Sequence, residues 1–204
     1  MNRRHALWML MVGSAFIAAL WASAPRVRAD DEETRVRWDI INTVPPPPAP
    51  VVIVTAGGKA SARANDDSKI TMTGTGTFEG ASGEAQGGGT WMVCNKAATV
   101  CASGTYRVKR LVRFDPAPGT PSPANVDQID EGRTSAGLAV LSVSYSDGDK
   151  GILVVSCHLV GTPDSVFEGI TATKGFVDFW NREAPAPGVN ANRTVFHVRR
   201  EDNN

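Results

Sequence analysis

Beyond residue 30, the apolar residues of this 204-residue chain fall in short runs, in several of which they recur at every second position. No long stretch repeats them with the 3.6-residue period of a helix. Alternation of this kind builds half-buried strands, so the body of the chain reads as all-β. The candidate strands are RVRWDIINTV, VVIVTA, KITMTGTGTF, GTWMVC, GTYRVKRLVRFD, SAGLAVLSVSYS, GILVVSCHLV, VFEGITATKGFVDFW and RTVFHVRR. Turn chemistry separates them at Gly57–Gly58, Asn65–Asp67, Asp147–Gly148 and Thr162–Asp164. Two connections are longer and rich in proline, Pro116–Arg133 and Glu183–Asn192; loops of that length serve as lids, binding edges or plain linkers.

The glycine-rich run Gly74–Trp91 tests whether a nucleotide site is present. GEAQGGGT approaches the P-loop pattern, but Gly89 stands where the phosphate-binding lysine is required, and a β-like WMVC follows instead of a helix. On the flanks Thr71, Thr73, Thr75 and Thr77 face one way, and Ile70, Met72 and Phe78 the other. Glycines within such strands mark bends or close backbone approach, so the run is expected to form a sheet corner.

The first residues carry Arg3 and Arg4, then an apolar stretch from Ala6 to Ala24, then small residues at Val27 and Ala29. That order predicts a signal peptide cleaved after Ala29, with an uncleaved anchor as the alternative, and hence a periplasmic or secreted protein. Residues 30–50 are expected to form an N-terminal segment with a stiff proline spacer at Pro45–Pro50, and 51–204 a single β domain. Cleavage removes four arginines and no acid, leaving 17 basic against 21 acidic side chains, a net charge of −4. Nucleic acid and anionic membrane surfaces both need a basic face, so neither is expected as a partner.

Turn geometry predicts registers. A two-residue turn at Asp147–Gly148 would pair Tyr145 with Lys150 and Leu141 with Val154. TPDS would pair His158 with Gly169 and Cys157 with Ile170. In the middle strand Leu153, Val155, Cys157 and Leu159 form one apolar face and Ile152, Val154 and Val160 another. Two apolar faces call for a barrel whose outside packs on a second copy, or for a β-sandwich.

Four residues stand out as candidate ligand contacts: Arg110, Tyr106, Glu168 and His158. Strict alternation puts Arg110 on the same face as Tyr106, Val108, Val112 and Phe114. A buried arginine must find an acceptor. It is read either as the anchor of a ligand carboxylate on a pocket floor, or as the partner of Glu168 or Asp178, unless a bulge turns it outward. No catalytic constellation is legible: there is no G-x-S-x-G, and His158 and His197 lack paired-ligand spacing, so neither metal nor cofactor is expected. Asn192-Arg193-Thr194 matches a glycosylation sequon, relevant only in a host that glycosylates.

Cys94 and Cys101 bound a six-residue polar loop between two strands, so in an oxidising compartment they are expected to bridge, leaving Cys157 as a buried thiol.

The segment VFEGITATKG, Val166 to Gly175, resembles the late strands of the dirigent and allene oxide cyclase barrels of the calycin type. The resemblance implies an eight-stranded antiparallel barrel, commonly oligomeric, with an apolar pocket. Two functional classes follow: a non-catalytic binder of a small apolar or anionic lipid-like molecule, and a small isomerase or cyclase that steers a reactive lipid. A structural envelope protein with a filled interior is a third.

Overall fold

The computed structural model describes residues 34–44, 51–80, 83–129 and 132–200. The expected signal peptide and the proline spacer lie outside them. The described elements are all strands: β1 (Thr34–Val44), β2 (Val52–Ala56), β3 (Ala60–Arg63), β4 (Lys69–Met72), β5 (Thr75–Glu79), β6 (Ala85–Cys94) and β7 (Cys101–Ala117). They continue as β8 (Asn125–Asp127), β9 (Arg133–Tyr145), β10 (Lys150–Cys157), β11 (Gly169–Lys174), β12 (Val177–Phe179), β13 (Asn181–Arg182) and β14 (Gly188–Arg200).

Six strands close an antiparallel barrel, in the order β1, β14, β9, β7, β6, β5 and back to β1. The expected barrel is present, but with six staves in place of eight. The extra candidates do not add staves because the wall forks twice. One edge of β6 takes β5 at Ala85–Gly88 and then β4 at Trp91–Cys94. β9 pairs with β14 at Arg133–Ser135 and with β10 at Gly137–Ser144. From the forks run two side branches, β10–β11–β12 and β4–β3–β13, and β11 packs against β3. The domain also begins earlier than expected. β1 lies inside the barrel wall, so Thr34–Val44 belongs to the β domain and is no separate leader.

The interior is filled. Val36, Trp38, Ile40, Phe78, Tyr106, Leu141, Leu153, Val155, Ile170, Phe179 and Phe196 share one core that runs through the barrel and both branches. Phe78, Phe114 and Phe196 meet with ring centroids 5.0–6.3 Å apart. Each such side chain contributes about 1.5–3 kcal/mol by leaving water.

The glycine run is a sheet corner, as its alternation predicts. β5 and β6 cross there so closely that a Cβ on Gly76 would lie 2.2 Å from the Gln86 carbonyl oxygen and 2.8 Å from Nε1 of Trp38. The backbone must approach this near to seal the barrel over the indole.

Two registers differ from expectation. β9 and β10 pair Leu141 with Leu153 and Ala139 with Val155, one residue from the predicted alignment. The turn takes an extra residue, with the Gly148 N–H donating to the Tyr145 carbonyl. That slip places buried residues opposite buried residues, and the core face overrides the dipeptide preference. β10 and β11 pair Ser156 with Gly169 and Val155 with Ile170, a shift of two that keeps every side chain on its expected face. Leu153, Val155 and Cys157 are buried, while Ile152 and Val154 are half-buried. Cys94 sits opposite Cys101 and is disulfide-bonded to it, and Cys157 is a buried free thiol.

Candidate functional site: a cleft on the outside of the barrel

Because strand side chains alternate, β1 and β14 point every second residue away from the core. On that outer face Ile41 and Val195 pack with Val54 and Ile129 into a small second core, roofed by β2 and by the chain that follows β8. Beside it opens a cleft of about 570 Å³. Its floor is Arg193, Thr194 and Val195 of β14, one wall is Val52, Val54, Asn125 and Asp127, and the other is His158, Leu159, Val160 and Glu168. Pro121, Pro185 and Pro187 stiffen the rim.

Glu168 is built into the fork of the wall. β10 and β14 diverge there, so their amides lose ladder partners. The Glu168 carboxylate accepts from the His158 N–H at 2.7 Å and from the Thr194 N–H at 2.6 Å. Thr194 also donates its hydroxyl to the Ser156 carbonyl at 2.6 Å. Burial pushes the Glu168 carboxyl up to about 7, against the pull of those two amides and of Arg193. His158 donates Nδ1–H to the Val166 carbonyl at 2.7 Å, which leaves Nε2 as the acceptor of the neutral ring.

Arg193 is half-buried in the floor of the cleft and has no hydrogen bond or ion pair among the described residues, although it is near enough to Glu168 to act on it electrostatically. Its position is set by Asn192, which takes φ +50°. The Asn192 Oδ1 accepts from the Ser61 N–H at 2.9 Å, and its Nδ2 donates to the Ala184 carbonyl at 2.9 Å. The sequon asparagine is thus a clamp with its amide already engaged.

Of the four candidate contacts, the fold brings His158 and Glu168 together in the cleft and sends the other two elsewhere. Tyr106 is a core residue. Its hydroxyl donates to the Thr73 carbonyl at 2.8 Å, and burial raises the phenol far above its ordinary range. Arg110 is exposed, because β7 shifts register between Val108 and Arg110 and again between Leu111 and Arg113. These bulges keep Val108 and Leu111 inside and turn Arg110 and Val112 out, so Arg110 neither floors a pocket nor pairs with Glu168. Asp178 is likewise exposed. Two further residues line the cleft: in the sequence Arg193 is only the middle of a sequon, and Asp127 lies in a connection without pattern.

Compared with protein-family models, with curated proteins and with solved structures, the chain matches none.

Proposed function

We propose that the protein is a non-catalytic binder that holds a small, partly apolar anion in the cleft outside its barrel. The observation that carries this reading is Arg193: a half-buried cation with no ion pair among the described residues, set in a floor with Val195 beneath a proline-lined rim. A ligand carboxylate or similar group supplies the acceptor that the arginine lacks. The apolar part of the ligand lies along Val52, Val54 and Leu159. The filled interior moves the site outward from where the resemblance to dirigent and allene oxide cyclase barrels would put it. Export to the periplasm or beyond completes the reading, and the Cys94–Cys101 disulfide is compatible with an oxidising compartment.

A second reading, a small isomerase or cyclase, draws on Glu168, a carboxyl near 7 beside His158. Both of its oxygens already accept main-chain amides, which makes it a strut more than a proton carrier.

Native mass spectrometry of protein taken from its own host reveals a carried ligand by its mass. Calorimetric titration with dodecanoate then tests the anchor. Binding of one molecule per chain is expected, weakened about tenfold in Arg193→Met, the worth of one charge-assisted contact. Arg110→Met is expected to bind like the parent. Equal losses in the two variants would refute the cleft as the site.

A further inference from the structure

β10 is apolar on both sides, and only one side is buried in the core. Leu153, Val155 and Cys157 belong to that core. Ile152 and Val154 point the other way, are half-buried, and belong to neither hydrophobic core. A strand with apolar residues on both faces is normally covered on both. The outer face around these two residues spans five strands, in the order β7, β9, β10, β11 and β12.

Strand registers arrange this face in rows. One row runs from Arg113 on β7 through Val140 and Val154 to Thr171 on β11. Continued by one strand, the same register reaches Trp180, just past β12 and 56% exposed. Its indole Nε1–H donates to Asn65 Oδ1 at 2.8 Å, which holds the ring in place. The next row begins at Arg110 and passes through Ser142 to Ile152. Beyond Ile152, the Thr173 hydroxyl accepts from the Ile152 N–H at 2.9 Å, and Thr173 stands opposite Asp178 on β12.

The middle of both rows is thus apolar or hydroxylic, and their ends differ in charge. Arg110 stands on one side of β10 and Asp178 on the other, each two strands away, or about 10 Å. Both are exposed, and neither has an ion pair among the described residues. None of these residues lines the cleft.

We propose that a second copy of the chain covers this face, related to the first by a two-fold axis that runs along β10. Rotation about that axis exchanges the two ends of each row. Arg110 then meets Asp178 of the partner subunit, and Arg113 meets Trp180 of the partner subunit, a cation against an aromatic ring. Ile152 and Val154 lie on the axis, each against its own counterpart. A two-fold interface requires this pattern: opposite charges at equal distances from the axis, and on the axis side chains that tolerate a copy of themselves. Lys150, one row further along β10, is exposed at the rim, where two lysines remain in water. Sheets stacked about 10 Å apart bring such rows into contact. The proposal is independent of the cleft and of Arg193.

Sedimentation velocity of the exported chain at micromolar concentration, with no ligand added, reads the outcome. A dimer is expected. Arg110→Glu alone, or Asp178→Arg alone, sets like charges against each other at both symmetry-related contacts. Each should weaken the dimer about a hundredfold, or about tenfold per contact. Combining Arg110→Glu with Asp178→Arg restores opposite charges and should restore the dimer, which a merely disturbed fold would not do. Val154→Lys is expected to leave a monomer, and Lys59→Glu, exposed in the link between β2 and β3, to leave the dimer intact. A monomeric parent would overturn the proposal and leave the face to a different partner. A dimer indifferent to both charge reversals, or a double variant that stays monomeric, would overturn it equally.

Discussion

Glu168 shows how one side chain can serve a fold at the expense of its own ionisation. Its carboxylate is wanted at the fork, where two main-chain amides need an acceptor, yet the fork is buried and burial favours the neutral acid. The acid is raised from 4.5 in the open chain to about 7 in the folded one. Between those values the folded protein keeps a proton that the unfolded chain releases. Its contribution to stability is therefore complete below 4.5 and lost as the pH rises through 7. A shift of that size corresponds to about 3 kcal/mol. Urea unfolding at pH 5 and pH 8 is expected to show the parent less stable at the higher pH by up to that amount, with Glu168→Gln removing most of the difference. Equal pH slopes in parent and variant would mean that Glu168 is solvated.

Among the elements, the β5–β6–β7 sheet depends on two local devices. At one end the disulfide pins Cys94 opposite Cys101 across a loop that Asn95 also caps, its Oδ1 accepting from the Thr99 N–H at 3.0 Å. Replacing both cysteines by serine should cost about 2–3 kcal/mol, the entropy of closing a short loop. Peptide mapping without reduction should yield a Cys94–Cys101 linked peptide and a free Cys157. At the other end Gly76 lets β5 lie on Trp38 and on the Gln86 carbonyl. Gly76→Ala forces those strands apart, at a cost of about 3 kcal/mol or more, read as a drop in urea midpoint. Gly80→Ala is the control, since nothing lies within 4 Å of a Cβ placed there. The bulges of β7 belong to this scale too. They turn Arg110 and Val112 to solvent without disturbing the inward Tyr106, Val108 and Leu111.

For the molecule as a whole, the consequence of a filled barrel is that room for a ligand lies on the outside. The cleft lies on the outer face of β1 and β14, the pair that carries the roof of β2 and β8. The order of charge, apolar stretch and small residues ahead of that domain leads to one further expectation. Intact mass of the exported protein should correspond to a chain beginning at Asp30, and a species that retains Trp8 and Trp21 would overturn it.

Alternation along the chain determined much by itself: the all-β class, most strands, which residues of β10 face inward, the glycine corner, and the cysteine pair. Each of these depends on neighbours within a few residues, or on the two-residue period of a strand. His158 and Glu168 were legible for the same reason, as polar groups next to an apolar strand. What the tertiary structure decided is everything set by which edges meet. The number of staves is six because β6 and β9 each divide one edge between two partners, and no local pattern records that division. The β9–β10 register follows the match of Leu141 to Leu153 across the core, not the Asp147–Gly148 dipeptide. Arg110 leaves the interior because bulges are set by how β7 must bend to follow β9. Arg193 and Asp127 acquire meaning only when β14, β2 and β8 come together, since a cation half-buried in a cleft and an acid beside a histidine are facts of packing, and packing is written in contacts far apart in the chain.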